Sequence, residues 1–172
     1  MQVKDAIEKR QSSRSYLPKK IDASLLNSLI DSVRLAPSGN NAQPTKLLII
    51  KNKKDISLLK EKNVFYQDFV YSAPVIVFFC SDPKAYVKKK LLDKDKRYRA
   101  LRDVSIASSF FVLRATEFNL GTCYIGWMDE KKVKKLFNLP NDLIIPFAIT
   151  LGYTNESYRK KQRKKKLDII IK

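Results

Sequence analysis

The stretch from residue 100 to 119 restricts the fold more than any other part of this sequence. Val104, Ile106, Ala107, Phe110, Phe111, Leu113, Ala115 and Phe118 recur at helical spacing yet cover more than one face. A helix that is apolar over most of its circumference is a buried helix. The expectation is therefore a helix over about 100–119 that crosses the middle of the molecule, with the other elements built around it.

The other elements follow from local pattern. Val3, Ala6 and Ile7 predict a short first helix within residues 2–10. Pro18 marks a turn. Asp22 can cap a second helix, whose stripe of Leu25, Leu26, Leu29, Ile30 and Val33 must end before Pro37. Leu47–Ile50 reads as a buried strand and Ile56–Glu61 as a short helix. Pro74 opens the strongest strand, Val75–Cys80, an unbroken run of β-formers. Residues 84–99 are charged and helical in pattern. Gly121–Trp127 is extended, Asp129 caps a helix to about Phe137, and Pro140 stops it. Ile144–Leu151 is a strand interrupted by Pro146 near its start, and Leu167–Ile171 is a β-prone tail. The chain has 172 residues and shows no internal repeat, which suits one domain over 1–172.

Composition narrows the chemistry. The chain contains no histidine, which removes Ser-His-Asp and Cys-His catalysis, histidine general bases and HExxH zinc sites together. Cys80 and Cys123 are the only cysteines and sit among apolar or small residues, so buried free thiols are expected. An enzyme so poor in acid–base side chains would leave the difficult step to a cofactor. The opening MQVKDAIEKR carries charges where a signal peptide needs an apolar core, and no run approaches a membrane span. The expected location is the cytoplasm. The formal charge of +18 comes from 35 basic and 17 acidic residues. It fits a lysine-rich solvated surface, a phosphorylated ligand or nucleic acid. No helix-turn-helix, RNA-recognition or zinc pattern accompanies the charge, so neither a nucleic-acid nor a membrane partner is expected.

Three polar clusters can carry function. Arg10-Gln11-Ser12-Ser13-Arg14 places two guanidinium forks and two hydroxyls within reach of a phosphate, and equally suits a solvated helix end. Ser38-Gly39-Asn40-Asn41-Ala42-Gln43-Pro44 offers amides suited to the edge of a flat heterocycle and a glycine that permits close approach, and equally suits an ordinary helix-to-strand connection. The basic run at 159–166 is a phosphate-binding candidate or a solvated arm. GxGxxG, GxxxxGK[ST] and CxxC are absent.

The order of these segments is more specific than any one of them. "DAIEKRQSSRSY", "LLNSLIDSVRLAPSGNNAQP", the strand after "SAP", "DVSIASSFFVLRATEFNLGTCYIGW", "PFAITLGYTNE" and a basic segment ending in "LDIII" follow one another. In that order they resemble the nitroreductase family of FMN-dependent oxidoreductases, from Val3 to Ile171 and most weakly over 52–72 and 84–98. The resemblance implies an α+β fold: a central, mostly antiparallel sheet flanked by helices, with the C-terminal tail exchanged between the subunits of a dimer. It implies FMN as a tightly held cofactor and NAD(P)H as electron donor. The implied reaction is ping-pong. The nicotinamide gives hydride to flavin N5 and leaves, and a nitroaromatic, quinone or similar small acceptor then takes the electrons.

Residue by residue, the resemblance puts Arg10, Gln11, Ser12 and Arg14 at the FMN phosphate and ribityl chain, with Lys161 and Arg163, or Lys164 in a shifted register, as a second group of phosphate ligands. Pro37, Ser38, Gly39 and Asn41, with Gln43 and Pro44 behind them, would reach the flavin across the dimer interface. Thr45 stands where the family often has tryptophan. Tyr124, Ile125 and Gly126 would lie beside the isoalloxazine ring, with a backbone N–H near N5. Trp127 suits a core or interface aromatic equally well. No catalytic side chain is implied. The polar residue that the family sets against the flavin pyrimidine has no clear counterpart, Gln67 being the nearest candidate. A flavin-binding protein without turnover and a basic nucleic-acid-binding domain are the competing readings.

Overall fold

The computed structural model describes residues 1–87, 92–159 and 161–171, and the side chains of all of these except Lys166 and Leu167. Residues 88–91 of the expected charged helix, and Lys160 of the basic run, lie outside the described residues. The elements are α1 (Val3–Lys9), α2 (Ala23–Arg34), β1 (Thr45–Ile50), α3 (Lys53–Glu61), β2 (Val75–Ser81), α4 (Asp93–Glu117), β3 (Gly121–Ile125), α5 (Glu130–Leu136) and β4 (Ile144–Gly152). Short 3₁₀ turns occur at Gly39–Asn41, Asp68–Ser72, Pro83–Ala85 and Lys166–Ile169.

The strands form one antiparallel sheet in the order β1-β2-β4-β3. β2 is apolar at nearly every position because both of its faces are covered. Ile76, Phe78 and Cys80 face a cluster with Leu59, Val70, Val133 and Ile145, under α3 and α5. Val75, Val77 and Phe79 face a cluster with Leu29, Val33, Val104, Phe111 and Ala115, under α2 and α4. The molecule is thus a sheet between two helical layers. Pro146 does not end β4. The pairing shifts between Phe79 and Ser81, where Phe147 and Ile144 are their partners, and the extra residue on β4 is a bulge that accommodates the proline.

Helix α4 departs from the expectation. It begins at Asp93, within the charged segment 84–99 expected to be helical, and runs on without a break past residue 100, while Pro83–Ala85 forms a 3₁₀ turn instead. It is also not buried all round. Ala100, Asp103, Val104, Ala107, Ser108, Phe111, Val112 and Ala115 are covered, whereas Leu101 and Phe110 are exposed and Ile106 and Leu113 half-exposed. The apolar circumference is real, but the chain by itself covers only the sheet-facing half.

The capping expectations divide. Asp129 accepts from the Lys132 N–H at 3.0 Å, while Asp22 stands at the start of α2 without a side-chain capping bond. The tail segment forms a 3₁₀ turn rather than a strand, and Ile169, Ile170 and Ile171 are exposed.

Both cysteines are buried free thiols. Burial pushes the Cys80 thiol up to about 12 and raises that of Cys123. The thiolate is the reactive form, so the native protein is expected to resist a thiol-exchange reagent at pH 8 and to react at both cysteines once unfolded. Rapid labelling of the native chain, followed by absorbance, would contradict this burial.

Candidate functional site

The residues after α1 run beside β3 as an extra, parallel edge. Ser12 and Thr122 form the bridge, and the Ser13 N–H donates to the Thr122 carbonyl at 2.9 Å. Gly121 makes this approach possible: a Cβ there would meet Ser13 and Thr154 side-chain atoms at 2.7–2.8 Å. Tyr16 fastens the same segment. Its hydroxyl donates to the Ser13 carbonyl at 2.7 Å and lies 2.6 Å from the hydroxyl of buried Thr150 on β4. Burial raises the Tyr16 phenol well above its ordinary range, so it stays protonated.

The C-terminal arm returns along this edge. The Gln11 amide donates to the Ser157 carbonyl at 3.1 Å and accepts from the Arg159 N–H at 3.0 Å. Arg159 donates to the Ser12 carbonyl at 2.9 Å, and the Arg14 N–H donates to the Glu156 carboxylate at 3.2 Å. Lys161 reaches the Glu8 carbonyl at 3.4 Å. Its ammonium is pushed below its ordinary pKa, first by burial and then by the charges of Arg10 and Arg163. The sequence-predicted cations Arg10, Lys161 and Arg163 therefore converge from opposite ends of the chain. Among the described residues, no carboxylate forms an ion pair with any of the three.

Arg14 points along the sheet, with its guanidinium 5.9 Å from the Phe69 ring. From there the segment 65–69 leads to Tyr66, whose ring packs against Trp127 at a tilt of 37°, with centroids 5.3 Å apart. Trp127 is 65% exposed, so it is not a core residue. Gly126 beside it has nothing within 4 Å of where a Cβ would stand. The Tyr124 hydroxyl lies 2.9 Å from the Ser108 hydroxyl of α4, and Ile125 is buried. Gln67, half-buried, sits in the same segment between Phe69 and Tyr66.

The loop 37–44 is elsewhere. It leads into β1, and the Pro44 carbonyl accepts from the Asp82 N–H at the far end of β2. Thr45, opposite Ser81, opens β1. Asn40, Asn41 and Gln43 all have left-handed backbone, with φ of 56°, 53° and 48°. Such residues cost of order 1 kcal/mol each and persist where the surroundings over-determine them. The Ser38 hydroxyl accepts from the Gln43 N–H at 2.9 Å, and the Gln43 amide donates to the Asn41 side chain at 3.2 Å. Pro37 and Ser38 border a cavity of about 400 Å³ between α2 and β1. The loop therefore belongs to the β1 edge and the cations to the β3 edge. Three strand spacings separate these edges, about 14 Å.

The sequence profile of the nitroreductase family matches residues 7–63 and 53–153. The chain belongs to the nitroreductase family. As a member it is an oxidoreductase. It is 29% identical over 162 residues to a protein of Methanothermobacter thermautotrophicus named provisionally as an NADH dehydrogenase/NAD(P)H nitroreductase, covering 91% of this chain and 80% of that one. A nitroreductase family protein from Clostridium difficile 630 superposes with a TM-score of 0.86 at 25% identity, over 99% of this chain and 98% of the other. A nitroreductase-type protein from Exiguobacterium sibiricum, solved in complex with FMN, superposes with a TM-score of 0.90 at 16% identity, over 99% and 97%. The α+β architecture with an antiparallel central sheet is the nitroreductase fold.

The sequence reading placed Ser13 and Arg159 in candidate clusters without their partners, and it missed Tyr16. Ser13 and Tyr16 lie inside the "RQSSRSY" string and Arg159 inside the basic run, so their positions were visible and their partners were not. Among the described residues, no group of His, Cys, Asp and Glu is arranged to hold a metal ion, and no helix is long and apolar enough to cross a membrane.

Proposed function

We propose that this chain is an FMN-dependent NAD(P)H oxidoreductase that works as a homodimer with two flavin sites, each shared between subunits. The observation that carries this reading is the convergence of Arg10, Lys161 and Arg163, unpaired with carboxylates among the described residues, on the edge beside Ser12 and Thr122. Clustered cations call for a polyanion, and a phosphate monoester carries close to two negative charges. The family membership and the FMN complex of the Exiguobacterium protein support the same choice.

FMN, when bound, would supply hydride transfer at N5 between a nicotinamide donor and an acceptor in two separate half-reactions. The chain's own residues would bind and orient it. Arg10, Lys161 and Arg163 would neutralise the phosphate, while Ser12 and Arg14 would face the ribityl chain. Gln11 would act as the clamp that holds the two chain ends together. Tyr124, Ile125 and Gly126 would flank the ring, with Gly126 leaving room for it. The exposed Tyr66–Trp127 pair beside Gly126 is a surface on which a flat acceptor, such as a nitroaromatic or a quinone, can lie.

The dimer reading has three supports. The Ser38–Asn41 loop lies on the opposite edge of the sheet from the cations, an arrangement that a site completed by the loop of a second copy would account for. The outward side of α4 leaves Phe110 exposed and Ile106 and Leu113 half-covered. The tail exposes Ile169–Ile171, while among the described residues β1 pairs on one side only and borders an apolar groove with Ile30, Val33, Leu47 and Ile49. A tail strand from the partner would fit that edge.

Anaerobic titration tests the reading. The purified chain, supplied with FMN, is expected to retain it, to lose its absorbance near about 450 nm on addition of NADH or NADPH, and to recover it with a nitroaromatic or quinone. Failure to retain FMN would reject the proposal. Retention without bleaching by either nicotinamide would leave a flavin-binding protein without turnover.

A further inference from the structure

Asp103 lies near the middle of α4 with its side chain only 1% exposed. Its carboxylate gathers donors from three segments. Oδ2 accepts from the Gly39 N–H at 2.7 Å and from the hydroxyl of buried Tyr86, and Oδ1 accepts from Arg102 Nε at 2.9 Å. Burial opposes the charge, but the hydrogen bonds from Tyr86, Arg102 and Gly39 outweigh it and hold the carboxyl below its ordinary range. Of the three donors, Gly39 is the one that belongs to the loop. Its approach is close: a Cβ at Gly39 would stand 2.7 Å from the Arg102 guanidinium. The residues that follow Gly39 then adopt left-handed backbone at Asn40 and Asn41, a conformation that needs an outside restraint to persist.

We propose that Asp103 is a positioning residue for the flavin-facing loop: by drawing the Gly39 amide inward to α4 it sets the direction in which Ser38 and Asn41 present their polar groups. This rests on the reading of the loop as part of a shared FMN site. The carboxylate accepts from all three donors at one group. An asparagine whose oxygen takes the Oδ2 place still accepts from Gly39 and Tyr86 and loses only Arg102, so releasing the Gly39 amide takes a side chain with no acceptor, as in Asp103→Ala.

The test is Asp103→Ala in the full-length chain, followed by hydrogen–deuterium exchange without ligand and by FMN and riboflavin titration through flavin fluorescence. The expected result is a folded protein whose peptides over 37–43 exchange about 10- to 100-fold faster, the scale of a lost hydrogen bond to a charged group. The sheet strands are expected to keep their protection. FMN and riboflavin are expected to weaken by the same factor, because the loop faces the ring and not the phosphate. Unchanged exchange over 37–43, or acceleration spread equally over the sheet, would overturn the proposal. Should Asp103→Ala fail to fold, Tyr86→Phe removes one donor while keeping the carboxylate. The same local acceleration, smaller in size, is expected there, and its absence counts against the proposal. An unaltered chain that binds no flavin would instead reject the FMN reading, while the exchange result would still decide whether Asp103 governs the loop.

Discussion

The double variant Arg10→Ala, Lys161→Ala is expected to bind FMN about 100-fold more weakly than the unaltered chain and to bind riboflavin equally well. The two cations come from opposite ends of the sequence and are near enough that the charge of Arg10 helps to depress the Lys161 ammonium. In the free protein they repel each other, which is unfavourable. With a phosphate between them that repulsion becomes shared attraction, so the two side chains should act as a unit and their effects should not add. Riboflavin lacks the phosphate and separates this effect from damage to the ring pocket. Equal loss of FMN and riboflavin would mean that the cluster supports the fold rather than the phosphate. Fluorescence titration of both ligands at one fixed salt concentration is the measurement, since exposed cations such as Arg163 are screened by salt.

Phe78→Ala is expected to destabilise the protein by about 3–5 kcal/mol. Phe78 is fully buried on β2, which lies between β1 and β4, and its ring stacks on Phe65 at 5.6 Å. The strands on either side, β1 and β4, are held by sheet pairing, so the space left behind can close only in part. For a chain of this size the loss corresponds to a fall in Tm of roughly 10 °C, read by calorimetry. Phe110→Ala is the contrasting variant. Phe110 is 41% exposed on the outward face of α4, so its loss should leave the core unchanged and weaken subunit association, making Tm more dependent on protein concentration. A shift at Phe78 no larger than that at Phe110 would contradict the placement of the core.

Local pattern carried much of this fold. The apolar run 75–80, the stripe of α2 and the glycine-bracketed segment 121–127 each became the element their residues imply, because burial on one or both faces leaves a periodic mark. Three features left no such mark. The start of α4 at Asp93 falls inside a charged segment with no apolar stripe to mark where the helix begins. The order β1-β2-β4-β3 depends on which faces find partners, not on any one strand. The pairs Tyr16–Thr150 and Gly39–Asp103, separated by 134 and 64 residues, are ordinary residues until the sheet brings them together. The second apolar face of α4 was legible as apolar, and the described residues cover it only in part. The candidate site was legible as a set of motifs, since arginines, hydroxyls and amides are conspicuous in sequence. Which of them share an edge of the sheet was not.

Mixed dimers give the most direct measurement. One chain carries Arg10→Ala and Lys161→Ala; the other carries Ser38→Ala and Asn41→Ala and keeps its cations. Each alone should bind FMN weakly. If a site takes its cations from one subunit and its loop from the other, a mixed dimer has one site with both halves intact, and mixing the two weak binders should restore tight binding at one FMN per mixed dimer. If exchange of subunits is demonstrated and no tight binding returns, the flavin is not shared between subunits.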